Sequence, residues 1–261
     1  MCQNKEIRII ACEDSYIYID ACVKYISIVN CLNTTVFVAS VKKVCTIDKC
    51  ENLTITVAAN FLRVGNTIDS TINFYGSCNP VLYGDNRSIV IGPYNANYVE
   101  LIERIKEAEI PIIYKNIQSY DNPLVLNDAE NTNINHKIQK IEDFSTLILP
   151  DNFKPIHPSL IKNFDPLIFG ANEKQTSQED LSYLNGTNCV LPILCPNVYR
   201  DHIKMRYKNF SNVQNEMKQS NLSEEEQLML HFAVQSYFKD WLVHTGSIKP
   251  ILDMAKMIDK E

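Results

Sequence analysis

The sequence predicts a mainly β chain built on a right-handed parallel β-helix, with an irregular arm and a C-terminal helical module. Three observations carry that expectation. First, apolar pairs separated by one residue recur at a step of about nine or ten residues, the mark of a repeat architecture. They are Ile7/Ile9, Ile17/Ile19, Ile26/Ile28 and Val36/Val38, then Ile55/Val57, Leu62/Val64, Ile72/Phe74 and Ile89/Ile91. Second, small or polar residues follow the pairs at matching distance: Cys12, Cys22, Cys31, Ser40, Cys50 and Ala59. Third, the pairs are separated by short turn-forming stretches such as Glu13-Asp14-Ser15, Asn33-Thr34-Thr35 and Glu51-Asn52, too short for crossover helices.

Each unit reads as one short strand with alternate residues buried. One such unit cannot bury its apolar face alone, but stacked units share a continuous core. Two strands per coil give about nineteen or twenty residues per turn, as in solenoids. An antiparallel sandwich with evenly spaced strands is the competing arrangement. The absence of Asn-Gly and Asp-Gly hairpin signals from this stretch favours the solenoid.

Taken in order, residues 1–108 form the β-helix domain. Ile89-Val90-Ile91 reads as its last strand. Tyr98, Leu101, Ile102, Ile105 and Ala108 then share one helical face. A helix there is expected to cap the open end of the coil and cover its edge. Residues 109–195 form an irregular extended arm that packs on the solenoid in places. Pro111, Pro123, Pro150, Pro155, Pro158 and Pro166 argue against long helices in it. Asp128–Asn135 is polar and Asn-rich, and Gly170–Ser182 reads as an exposed loop. Residues 196–261 form the helical module. Pro196 starts one helix, and Ser223 and Glu226 form a capping box before a second. That second helix carries Leu230, Ala233, Val234, Tyr237, Phe238, Trp241 and Leu242, with Gly246 as its C-terminal cap. A last short helix is expected through Ile248, Ile251, Leu252, Ala255 and Ile258.

The chain has 261 residues, a formal net charge of −6 and 45% hydrophobic residues. That suits a packed protein and argues against a general nucleic-acid binder. No stretch approaches the ~18 apolar residues of a membrane helix. No signal-peptide pattern opens the chain, so the cytoplasm is expected. Nine cysteines without a secretory signal read as thiols. Cys12, Cys22 and Cys31 read as a stack of small buried residues. No second pair accompanies Cys45 and Cys50, so no metal is expected. Phosphate loops, dinucleotide fingerprints and nucleophile elbows are absent, so no cofactor is expected either.

One residue stands apart. Leu62 and Val64 carry the apolar alternation, so Arg63 between them points to solvent. A guanidinium there can serve a protein partner, or a bound nucleotide's phosphates as an arginine finger.

Four strings carry a resemblance to a known family. They are Cys50-Glu51-Asn52-Leu53-Thr54-Ile55, Asn60-Phe61-Leu62-Arg63-Val64-Gly65-Asn66, Asn79-Pro80-Val81-Leu82-Tyr83-Gly84-Asp85-Asn86-Arg87 and Ile91-Gly92-Pro93-Tyr94-Asn95-Ala96-Asn97-Tyr98. Together they resemble the tubulin-folding cofactor C domain family. The pattern extends to Leu149-Pro150-Asp151-Asn152-Phe153 and to the Trp241–Ile248 junction. The family fold is a right-handed parallel β-helix. Some members are GTPase-activating proteins, for tubulin or for Arf-like GTPases, using an arginine in a Gln-Gln-x-Arg context. Arg63 falls on that arginine, while Asn60 and Phe61 stand where the two glutamines would be. Another branch is associated with centrosomes, spindle poles and basal bodies and supports organelle positioning without the finger.

The resemblance therefore implies a non-enzymatic cytoskeletal interaction protein of the centrosome, spindle pole or basal body. Its partners would be tubulin or microtubule-organising-centre proteins. The alternative it implies is a GTPase-activating protein for tubulin or an Arf-like GTPase, with Arg63 as finger. Asn60, Phe61, Arg87, Tyr94 and Asn95 are the partner-binding candidates. An actin-side role is a third option, because adenylyl cyclase-associated proteins share the β-helix.

Overall fold

A computed structural model of the chain describes residues 5–113, 117–126, 134–156, 191–220 and 222–244. It divides into two compact units, Met1–Asn209 and Phe210–Glu261. The first is a parallel β-solenoid of about five turns.

Among the described residues nine strands build it: β1 (Glu6–Ile10), β2 (Tyr16–Val29), β3 (Thr35–Asp48), β4 (Thr54–Gly65), β5 (Thr71–Gly76), β6 (Val81–Tyr83), β7 (Asn86–Pro93), β8 (Leu124–Leu126) and β9 (Ile134–Ile138). All their pairings are parallel. The long strands bend where their register shifts, between Ile19 and Cys22 in β2 and between Val38 and Val41 in β3. Each thus contributes to two walls. The apolar pairs sort alternately between them. Ile17, Val36, Ile55, Ile72 and Ile91 stack in one wall. Ile7, Ile26, Cys45 and Leu62 stack in the other. Thr35 pairs with Thr54 nineteen residues on, but Thr54 pairs with Thr71 seventeen on.

The turn between coils forms a third column through the bridges Glu13↔Leu32↔Glu51↔Ile68↔Arg87. Asp14, Asn33, Asn52, Asp69 and Ser88 take φ of 48–54° there. Asn and Asp tolerate that left-handed conformation best among residues with a side chain. Beside this column Cys31 donates to the carbonyls of Val29 and Ile9, and Cys50 to those of Asp48 and Ile28. The thiol stack is therefore Cys12, Cys31 and Cys50. Cys22 belongs to the bend and pairs with Ser40. The two positions looked equivalent because bend and turn each follow an apolar pair.

Two expectations about the end of the solenoid need correction. The ladder does not stop at Ile91, because β8 adds to β6 and β9 adds to β7. Nor does the helix α1 (Leu101–Glu107) cap the open end. It lies against the side of β2 and β3, where Ser40 Oγ donates to the Arg104 carbonyl at 2.6 Å. The Arg104 guanidinium also reaches Asp20 at 3.0 Å. An edge strand supplies matched donors and acceptors, so another strand covers it more completely than a helix does.

The two walls differ outside. On the first, the outward row Tyr18, Phe37, Thr56, Asn73 and Gly92 is covered by the chain that follows β7. Phe37 and Tyr98 pack edge-to-face at 5.8 Å, and Phe37 and Phe153 at 5.6 Å. Among the described residues of this unit, nothing covers the second wall.

The helix α2 (Asn197–Gln219) begins in this unit, where Tyr199 donates to the Gln139 carbonyl at 2.6 Å. In the second unit lie the rest of α2 and α3 (Glu224–His244). The expected capping box is present: Ser223 N donates to Glu226 Oε2 at 2.9 Å and Glu226 N to Ser223 Oγ at 3.4 Å. Leu228, Phe232, Val234, Tyr237 and Trp241 are all exposed on α3. No described helix is long and apolar enough to cross a membrane. The expectations for Gly170–Ser182, Gly246 and the final helix lie outside the described residues, as does most of 128–135.

Candidate functional site

The bare wall is built from β1, the second halves of β2, β3 and β4, then β6 and β8. Alternation sends every second side chain outward. Register then sets these into rows. Glu6, Tyr25, Val44 and Phe61 form one, and Arg8, Ser27, Thr46, Arg63 and Val81 form the next. A third runs Ile10, Val29, Asp48, Gly65 and Tyr83.

Arg63 is exposed, as its place between the buried Leu62 and Val64 requires. Its guanidinium lies over the Tyr83 ring at 5.1 Å. An exposed cation–π contact of this kind is worth about 0.5–1 kcal/mol, enough to orient a side chain without fixing it. The Tyr83 ring in turn covers Gly65, whose missing Cβ leaves it room. Burial, then the neighbouring Asp48 carboxylate, raises the Tyr83 pKa. Beside Arg63 an open recess of about 340 Å³ is bounded by Glu6, Tyr25, Ser27, Val44 and Thr46.

The other sequence candidates do not converge on this point. Phe61 shares the wall, one row from Arg63, and is half-buried. Asn60 faces the bend, where its amide donates to the carbonyls of Lys42 at 2.8 Å and Ala108 at 3.0 Å and accepts from Ser77. Arg87 sits on the turn column, clasped by Asp85 through two hydrogen bonds of 3.1 and 2.7 Å. Asn95 is buried against the covered wall, accepting from Thr56 Oγ1 at 2.7 Å and donating to the Ser145 carbonyl at 3.0 Å. Tyr94 is fully buried, and desolvation raises its pKa well above the ordinary value. Asn60, Tyr94 and Asn95 are thus held within the unit, Tyr94 and Asn95 buried and Asn60 half-buried. Tyr25, Val44 and Tyr83 were missed by sequence reasoning. The coil offset that would align them with Arg63 varies from coil to coil.

Among the described residues no group of three or more His, Cys, Asp or Glu is placed to hold a metal. Among the described residues one wall of the parallel solenoid is uncovered, and the exposed Arg63 on it makes no ion pair or hydrogen bond. Residues 4–122 match the family described as Tubulin binding cofactor C. The matched stretch is similar to that family and runs from before β1 to beyond α1. A curated relative, TBCC domain-containing protein 1 of Danio rerio, is 21% identical over 191 residues, which cover 72% of this chain. The matched region is 27% of that protein's length.

Proposed function

We propose that this chain is a non-enzymatic interaction protein of the microtubule-linked cytoskeleton. In this reading it works in the cytoplasm at the centrosome, spindle pole or basal body and supports organelle positioning there. The bare wall around Arg63 is its docking surface, with tubulin or a microtubule-organising-centre protein as partner. The family matched by residues 4–122 and the named relative support the microtubule link.

The observation that carries the non-enzymatic reading is the state of Asn60 and Phe61. Asn60 spends its amide on Lys42, Ala108 and Ser77, and Phe61 brings no polar atom. Arginine fingers act beside a polar group that positions the attacking water or the nucleotide. Arg63 lacks such a neighbour on its own strand. The test is the location of the tagged chain in its own cell. A focus at microtubule-organising centres that weakens with Arg63→Ala supports the reading, and a diffuse signal overturns it.

A second reading has its own support. Among the described residues Arg63 makes no ion pair or hydrogen bond, so its five donors are available. A GTPase-activating role for tubulin or an Arf-like GTPase would use them on the nucleotide. Single-turnover GTP hydrolysis with these GTPases decides it, because a finger raises turnover by about 10³–10⁵-fold. Stimulation abolished by Arg63→Ala would establish an activator.

A further inference from the structure

We propose that the occupant of the bare wall is an acidic segment of a partner protein that also carries an aromatic or aliphatic side chain. The inference rests on the reading of this wall as a docking surface, and it names the chemistry that docks.

Acidic side chains predominate in the turn column, which ends at the Asp85-paired Arg87. Glu13, Asp14, Glu51 and Asp69 lie in the turn column. The bend bordering the bare wall is basic. Lys24 donates its backbone N–H to the Lys5 carbonyl on the neighbouring coil, and exposed Lys43 directly precedes Val44. The Lys24 ammonium lies over the Tyr25 ring at 5.5 Å, which turns it toward the wall. Arg63 stands at the other side of the apolar row. The wall's own acids are engaged: Glu6 holds Arg8 at 2.9 Å, and Asp48 accepts from Asn66 at 2.8 Å. Glu109 answers Lys42 and Lys43, whereas Lys24 and Arg63 form no ion pair among the described residues, so the unanswered positive charge at the borders is theirs.

Between the two basic borders run Tyr25, Val44 and Phe61. The adjoining recess is at the small end of ligand pockets and open to solvent, which suits a protruding side chain better than an enclosed small molecule. Ser27 and Thr46 share a row with Arg63, so a carboxylate bound by the guanidinium meets hydroxyl donors on the same side. A segment that alternates acidic and apolar residues would set its carboxylates on Arg63 and the lysines and its apolar group in the recess. A basic segment would meet like charge at both borders.

The test is fluorescence anisotropy of the full chain with a short labelled Glu-rich peptide carrying one Phe. Binding should weaken with added salt. Arg63→Ala and Lys24→Glu should each weaken it roughly fivefold, the size expected for one exposed charge pair. Val44→Asp should abolish it, and replacing the Phe by Ser should weaken it. These side chains are exposed or half-buried on a rigid wall, and circular dichroism verifies that the variants fold. Equal binding of a Lys-rich peptide, or indifference to both Arg63→Ala and Lys24→Glu, overturns the inference. So does equal capture by anionic phospholipid vesicles with the same variant sensitivity, which would mark polyanion binding. If the peptide fails while Arg63→Ala still disperses the cellular focus, the acidic occupant falls and the docking reading stands. If the peptide binds but the chain never forms a focus, the docking chemistry stands and the cellular role falls.

Discussion

Asn52 donates its side-chain amide to the side-chain oxygen of Asn33, one coil away, at 2.8 Å, while both residues hold φ near 49°. The bond ties successive turns at positions whose backbone penalises most side chains. Asn52→Val combines a β-branched side chain with left-handed backbone and removes the tie. It should lower stability by about 1–3 kcal/mol. Asn52→Gly relieves the backbone and should cost clearly less. Urea denaturation of the two variants checks the ordering.

A second relationship lies under the covered wall. Asn95 joins β4 to the segment around Ser145 through Thr56 and the Ser145 carbonyl; Asn95 and Thr56 are buried, while Ser145 is exposed. Asn95→Ala leaves the Thr56 hydroxyl without its acceptor. The expected loss is about 1–3 kcal/mol, that of an unsatisfied buried polar group. If chemical denaturation instead finds wild-type stability, Asn95 is not the staple described here.

The thiols should separate sharply in reactivity. Burial pushes Cys45 and Cys195 up to about 12 and Cys50 up to about 11, while Cys78 is exposed. The thiolate is the reacting species, so at neutral pH Cys78 should alkylate before the buried three, which should follow only on unfolding. Timed iodoacetamide labelling read by mass spectrometry gives the order.

The capping box sets a pH dependence on α3. Hydrogen bonds from the Ser223 backbone, then from its hydroxyl, lower the Glu226 pKa from the ordinary glutamate value. A lowered folded pKa stabilises the helix start above the ordinary value, and this is lost as pH falls through the folded one. Helical signal should therefore decline in acid below about pH 4.5. Glu226→Gln, which can keep a capping geometry, should remove that part of the decline.

What could be read from the chain alone follows from which forces are local. The two-wall solenoid was legible because each coil repeats its apolar pairs, and Ile7, Ile26 and Cys45 stack as that repeat demands. The Ser223–Glu226 box was legible because capping needs only four residues of context. The exposure of Arg63 followed from alternation. The addition of β8 and β9 was not legible, because each pairs with a strand far back in the chain. The burial of Tyr94 and Asn95 was hidden as well. It depends on Phe153 and Ser145 folding back over Phe37 and Thr56, which no periodic pattern announces.

The parallel stacking has a consequence for how the chain reaches its native state. From β1 to β7 every rung finds its partner within about a coil's length, so the entropy of closing each loop is small and nearly constant. Folding there can start at any adjacent pair of coils and spread in both directions like a zipper, as in other one-dimensional arrays. Leu124 must instead find Val81, and Ile138 must find Ile91, across much longer spans. The last rungs are thus the slow step of assembly. They are also where a ribosome-bound intermediate would hold an open edge until residues 124–138 have emerged.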